Sequence, residues 1–256
     1  MGECMGSWRG RVFMYLKSKV EKGEKLYLAL IDPDKSLKDI NECVRIIEDL
    51  ASIGLDAVLI GGSLSVTSYD VDAIIDKLSH VDVPKILFPG SVAGISKNAD
   101  AVLFISLLNS MDPYYIVGAQ MSAAPIIKKF GLEPIPTAYI IVAYGGAAGL
   151  VGLAKPVPLE RPEIAAAYAL AAKYMGMKVV YLEAGSGAPR HIPGRFVEAV
   201  RKAVGDDVIL VVGGGIRSAE AAREIIEGGA DAIVTGTLLE ENPARCREII
   251  SVIKRR

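Results

Sequence analysis

The sequence predicts an α/β chain folded as a (β/α)8 barrel, with the third outer helix missing or replaced by a loop. Three observations point there. Eight apolar, strand-length runs alternate with helix-length stretches along the whole chain, the pattern of a parallel sheet with helical crossovers. The 256 residues match the roughly 250 of one such barrel. Hydrophobic residues make up 51% and there are 26 glycines, which suits strands buried on both faces and many tight turns. A single barrel over residues 1–256 is expected, with a helix near residues 11–22 ahead of the first strand.

The first run spans residues 26–32. In the helix after it, Ser36 can cap the amino end with Asp39 three residues on, Ile40, Val44, Ile47 and Leu50 or Ala51 form an apolar stripe, and Gly54 ends it. The second and third runs are 57–62 and 85–89. The crossover that follows, residues 90–100, includes Gly94 and the turn-prone Lys97-Asn98-Ala99-Asp100, and is too short for a good helix. Either the barrel wall has a slot there, able to take an elongated apolar ligand, or the amino-terminal helix covers a short loop. The remaining runs are 101–107, 138–144, 179–183, 208–212 and 232–236. Gly54-Leu55-Asp56-Ala57-Val58 is echoed by Asn98-Ala99-Asp100-Ala101-Val102 and Gly229-Ala230-Asp231-Ala232-Ile233, read as recurring turn chemistry at the entrance to a strand. Residues 134–154 carry no charge and are long enough to cross a bilayer. Their prolines and glycines instead suggest a buried strand followed by a mobile glycine-rich loop, with no transmembrane segment.

Composition excludes several function classes. Lys plus Arg is 29 against 30 for Asp plus Glu, so no global positive field exists to hold nucleic acid or an anionic membrane, and any anion must be captured locally. Cys4, Cys43 and Cys246 match no zinc or redox spacing, which fits a reducing cytoplasm. Two histidines, His80 and His191, do not support histidine-based metal chemistry. Residues 1–10 lack the apolar core and cleavage site of a signal peptide.

Barrel active sites lie at the carboxyl ends of the strands, so the residues ending each run are the candidates. The last three ends, Glu183-Ala184-Gly185-Ser186-Gly187, Gly213-Gly214-Gly215-Ile216-Arg217 and Gly236-Thr237, suit a phosphate cradle. Glycines let backbone amides approach an anion, and a following helix adds positive partial charge. Helix capping does not need Asp32 where Ser36 has that role, so Asp32 would suit magnesium, with Ser63 completing the shell and Asp34 as second choice; an Asp-Pro turn explains Asp32 as well. Tyr181 and Glu183, two apart on one strand, share a face, and a carboxylate inside the barrel needs a substrate hydroxyl or a cation as partner. Glu183 could be a base or orient a hydroxyl, or pair structurally with Arg190 or Arg217.

These residues resemble the geranylgeranylglyceryl phosphate synthase family, which includes bacterial relatives that make heptaprenylglyceryl phosphate. The resemblance runs over nearly the whole chain, less clearly before Leu26. It rests on Leu30-Ile31-Asp32-Pro33-Asp34-Lys35, Gly61-Gly62-Ser63, Phe88-Pro89-Gly90, Asn109-Ser110-Met111-Asp112-Pro113-Tyr114-Tyr115, Tyr181-Leu182-Glu183-Ala184-Gly185-Ser186-Gly187, Gly213-Gly214-Gly215-Ile216-Arg217 and Gly236-Thr237. It implies a magnesium-dependent barrel prenyltransferase that joins sn-glycerol 1-phosphate to a polyprenyl diphosphate through an ether bond and releases diphosphate, in membrane ether-lipid synthesis. By motif, Asp32 and Ser63 would hold Mg2+, and Tyr181, Leu182, Glu183, Ala184, Gly185, Ser186, Gly187, Gly214, Gly215, Gly236 and Thr237 would hold glycerol phosphate. Glu183 and Tyr181 would be catalytic, with Glu183 on the attacking hydroxyl. The family also lacks the ordinary third outer helix, which would make 90–100 the prenyl groove. Tyr115 stands where the family often has tryptophan, so the resemblance leaves prenyl length open. A cytoplasmic homo-oligomer, with transient contact at a membrane surface, is the expected setting. Other phosphate-binding barrel enzymes, or a carrier without turnover, remain the competing readings.

Overall fold

The computed structural model describes residues 8–62, 64 and 66–254; Cys4 and the candidate ligand Ser63 lie outside the described residues. After a first helix α1 (Val12–Glu21), strands β1 (Leu26–Ile31), β2 (Ala57–Ile60), β3 (Lys85–Leu87), β4 (Ala101–Leu107), β5 (Glu133–Ile141), β6 (Val179–Glu183), β7 (Ile209–Gly213) and β8 (Ala232–Thr235) close into a barrel in sequence order. Every neighbouring pair is parallel, including β1 with β8. The helices are α2 (Pro33–Ser36), α3 (Ile40–Ile53), α4 (Ser68–Lys77), α5 (Ala119–Phe130), α6 (Gly146–Val151), α7 (Pro162–Tyr174), α8 (Gly194–Val204), α9 (Ala219–Glu227), α10 (Thr237–Glu241) and α11 (Pro243–Lys254).

Strand alternation sorts the apolar side chains into two cores. On β1, Leu26 and Leu28 enter the barrel with Leu59, Ile86, Leu103, Val179 and Val211, whereas Tyr27, Ala29 and Ile31 face the surrounding helices. Val12 and Leu16 of α1 join the inner core at the amino ends of the strands. Glu133, at the start of β5, accepts hydrogen bonds from the backbone N–H groups of Val12 (2.7 Å) and Phe13 (3.0 Å), satisfying donors that the first turn of a helix leaves free.

The crossover after β3 contains only a 3-10 turn, Val92–Gly94, so the third outer helix is absent as the spacing predicts. α1 packs Val12 and Leu16 into the barrel's lower end, and the crossover residues Ser91, Val92 and Ile95 line an open cavity, so of the two readings of the short crossover the slot is the one observed.

Three local expectations are corrected. Ser36 does not cap α3: it ends the short helix α2, and Asp39 accepts from the Glu42 N–H at 3.0 Å. Asp32 itself accepts from the Asp34 N–H at 3.2 Å and caps α2, so capping does use this carboxylate. The fifth strand begins at Glu133, five residues before the expected start, and includes Pro134 and Pro136. Even-numbered residues of β5 face β6, as in Val142 N–H to Glu183 C=O at 2.8 Å, but the β5–β6 pairing starts only at Thr137 with Val179. The N–H groups the two prolines lack would therefore have pointed where no strand yet lies, which is how prolines fit a barrel strand. The glycine-rich segment after β5 forms the short helix α6. Among the described residues no helix is long and apolar enough to cross a membrane.

Candidate active site

One continuous cavity opens at the carboxyl ends of the strands, with a polar part and an apolar arm. The polar part is lined by Asp32, Lys35, Glu183, Ser186, Gly187, Gly214, Gly215, Arg217, Gly236 and Thr237. The sequence motifs after β1, β6, β7 and β8 thus meet in one place. The Ser186 and Thr237 hydroxyls lie 3.1 Å apart and join the β6 loop to the start of α10. Gly214 has φ +84°, and a Cβ there would fall 2.5 Å from Glu183 Oε1, so glycine is required both for the turn and for the closeness of the carboxylate.

Not every expected contact faces this space. Leu182 is fully buried in the outer core, as strand alternation demands, and Ala184 packs there too; its N–H donates to Gly213 C=O at 3.0 Å. Neither lines the cavity, and nor does Gly185, whose N–H is spent on Glu183. Asp34 is exposed and also off the cavity.

Glu183 is only 6% exposed. Its Oε1 accepts the Gly185 N–H at 2.6 Å. Burial pushes its pKa up, opposed by that bond and by the neighbouring hydroxyls of Tyr181 and Tyr139. The Tyr181 hydroxyl is buried beside the Glu183 carboxylate, close enough to favour its ionised form but without a well-formed hydrogen bond. A Cβ at Gly213 would lie 2.2 Å from it, so glycine there makes its room. No ion pair reaches Glu183 among the described residues, so the structural pairing with Arg190 or Arg217 is not formed.

Asp32 is half-buried under the β2 loop, where a Cβ on Gly62 would stand 2.7 Å from Asp32 Oδ1. Burial raises its pKa, opposed by the Asp34 N–H and the Lys35 charge. Lys35 is itself paired with Glu240 of α10 at 2.8 Å. The carboxylate is therefore incompletely compensated and suits a cation. No cluster of three or more His, Cys, Asp or Glu side chains occurs among the described residues, so an ion at Asp32 would draw most of its shell from substrate oxygens and water, as magnesium does.

The apolar arm runs beside the missing third helix, between β4 and α5, past Ile95, Val102, Phe104, Ala119, Ala123 and Ile127. Tyr115 lines it; Tyr114 does not, standing half-exposed and edge-on to Tyr115 at 5.2 Å. Residues to which the sequence reading gave no role also line the cavity, among them Tyr139, Lys35 and Phe88. Tyr139 lies inside the expected fifth run, and strand alternation puts it on the inward face two residues before Ile141.

The model of the PcrB family matches residues 18–254. A relative from Hyperthermus butylicus, named geranylgeranylglyceryl phosphate synthase, is 52% identical over 238 residues, covering 92% of this chain and 96% of its own. A relative of the same name from Pyrococcus furiosus is 50% identical over 233 residues, covering 90% of each. The solved structure of (S)-3-O-geranylgeranylglyceryl phosphate synthase from Thermoplasma acidophilum, in complex with its substrate sn-glycerol-1-phosphate, superposes with a TM-score of 0.89 at 39% identity, over 95% of this chain and 98% of that one. Tryptophan synthase of Mycobacterium tuberculosis, at 15% identity and a TM-score of 0.61, shares the fold alone. The relatives carry the name that the strand-end motifs resemble, and with its model matched from the first helix to the last, this chain belongs to the PcrB family.

Proposed function

We propose that this chain is a prenyltransferase that forms an ether bond between sn-glycerol 1-phosphate and a polyprenyl diphosphate, with geranylgeranyl diphosphate as donor, and releases diphosphate in membrane ether-lipid synthesis. The observation that carries this reading is the single cavity: a glycine-lined polar end holding one buried carboxylate runs directly into an apolar arm. A phosphorylated small alcohol fits the first and an isoprenoid tail the second. A sugar-phosphate enzyme would have no use for the arm, and a carrier would have none for the buried Glu183.

Backbone amides around Gly187, Gly214, Gly215 and Gly236 bind the phosphate, with the start of α10 beside them. Glu183 takes the proton from the glycerol hydroxyl as its oxygen attacks, and the Tyr181 hydroxyl beside it orients that oxygen. The apolar walls hold the tail and keep water from the reacting carbon. Asp32 and Ser63 are the residues that would hold magnesium, which when bound supplies positive charge to offset the departing diphosphate. A homo-oligomer in the cytoplasm that touches the membrane surface transiently completes the reading.

Purified protein, radiolabelled sn-glycerol 1-phosphate, magnesium and prenyl diphosphates of graded length provide the test, with label extracted into organic solvent. Label should enter the organic phase with a donor preference, and Glu183→Ala and Asp32→Ala should abolish it. Calorimetry adds a readout separate from turnover: magnesium should tighten prenyl diphosphate binding to the native chain and leave Asp32→Ala unaffected. Glycerol phosphate binding without extractable product from any donor would overturn the reading in favour of another phosphate-binding barrel or a carrier.

A further inference from the structure

Three aromatic rings from three strand ends meet where the polar end of the cavity joins the apolar arm. Phe88 follows β3, Tyr139 lies on β5 and Tyr181 on β6, and all three line the cavity. Ring centroids are 5.6 Å apart for Phe88 and Tyr181, 5.7 Å for Phe88 and Tyr139, and 5.1 Å for Tyr139 and Tyr181. Register fixes the order around the wall: Tyr139 is level with Leu107 of β4, which lines the cavity, and with Tyr181 of β6, two residues before Glu183. The reacting carbon of a prenyl diphosphate with its tail in the arm, and with the glycerol hydroxyl at Glu183, must pass these rings.

We infer that Phe88 and Tyr139 are further catalytic residues, whose ring faces, with that of Tyr181, stabilise the positive charge that develops on the allylic carbon. The inference rests on the prenyl-transfer reading above. In that step the bond from the allylic carbon to diphosphate oxygen breaks and its electron pair leaves with diphosphate. A lone pair of the glycerol oxygen forms the new bond, and the displaced proton goes to Glu183. Charge is delocalised over the allyl unit in between, in a pocket with little water to solvate it. A second carboxylate at that position would be alkylated; an aromatic face offers negative potential without a nucleophile. Burial, reinforced by the Glu183 charge, holds both tyrosine hydroxyls well above the ordinary phenol range, so both rings stay neutral and cannot capture the carbon as phenolates. Clustered rings are also core packing, so the deciding property is response to charge.

The test compares two geranylgeranyl-chain ligands, each titrated calorimetrically with inorganic diphosphate present. In one a protonated amine replaces the reacting carbon; the other is its uncharged carbon isostere. The native chain should prefer the cation, and Tyr139→Leu and Phe88→Leu should each reduce that preference by about 30-fold, the size of a desolvated cation–π contact. Tyr139→Phe, which keeps the ring, should keep the preference. Retained binding of the uncharged ligand identifies a folded pocket, and kcat should fall in the leucine variants with KM for glycerol phosphate unchanged. An undiminished preference in both leucine variants, while the native chain makes ether product, would overturn the inference alone. A native chain that makes no ether product would bring down the function and this inference together.

Discussion

As the proposed base, Glu183 would have to be buried and ionised at once, and this would set its pH behaviour. Its folded pKa is raised by burial, so the carboxyl is at ease in the fold when protonated, and the associated stability is lost as pH rises through the folded value. At neutral pH the ionised side chain costs stability. Glu183→Gln removes that cost while still offering an oxygen to the Gly185 N–H. Turnover should fall about 10²- to 10⁴-fold, the size of a lost general base, while the melting temperature at pH 7 rises. The gap in melting temperature should close on acidification, since protonated glutamic acid and glutamine are then equivalent. Melting curves at several pH values check this, and a variant that melts below the native chain at pH 7 would show the carboxylate to be stabilising. By the same sign, native kcat/KM should fall on acidification at a pH above the ordinary glutamate range. Glu183 and Tyr181 were legible because alternation alone puts them on one face. Leu182 and Ala184 were misplaced for the same reason: a motif names consecutive residues, but a strand turns every second one away. Asp32 was only half legible, since a motif does not show that one carboxylate both caps α2 and faces the cavity.

At the scale of elements, the echo ahead of β2, β4 and β8 has a shared structural task. Asp56 accepts the Tyr27 N–H at 2.7 Å, Asp100 the Lys85 N–H at 2.8 Å and Asp231 the Leu210 N–H at 2.8 Å. Each carboxylate, placed just before its own strand, ties down the start of the preceding one, β1, β3 or β7, and so fixes the register between them. The sequence exposed the repeat as turn chemistry; the partner on the neighbouring strand was invisible, because it is a backbone group that every residue carries. Asp231 also holds the Arg201 guanidinium, so Asp231→Ala leaves a buried charge as well as an N–H without a partner. It should cost about 3–5 kcal/mol, the range for breaking a buried pair. Asp100→Ala should cost about 1–3 kcal/mol, the range for an unsatisfied buried donor. Denaturant titrations of the two variants read both values, and equal losses would refute the ordering. The missing third helix was legible because chain length sets a hard limit: the eleven residues 90–100 cannot hold a full outer helix and both of its connections to the strands. The start of β5 was not, because proline argues against a strand unless it is known which neighbour is absent.

Over the whole molecule, the two ends of the barrel divide the labour. The cavity, Glu183 and the glycine loops occupy the carboxyl end, while the opposite end is held by Asp56, fully buried and engaged by residues from far along the chain. Lys19 of α1 meets its Oδ1 and Lys254 of α11 its Oδ2, each at 2.6 Å, so one carboxylate at the entrance to β2 joins the first helix to the last. Taking two ammonium groups and a carboxylate partly out of water is costly, which makes the triad a weak source of net stability but a severe loss if broken on one side. Asp56→Ala would leave two lysines facing each other across an empty position and the Tyr27 N–H without an acceptor. A loss of about 3–5 kcal/mol is expected, which for a domain of this size lowers the melting temperature by about 10 °C. No part of the cavity is built on α1 or α11, so below the melting transition kcat and the KM for glycerol phosphate should match the native chain's. This is the opposite pattern to Glu183→Gln, and a barrel whose upper rim is held by eight strands should permit it. If Asp56→Ala lost turnover in the cold while fully folded by circular dichroism, the lower end would be shaping the site through the strands, and the separation of stability from catalysis along the barrel axis would be wrong for this protein.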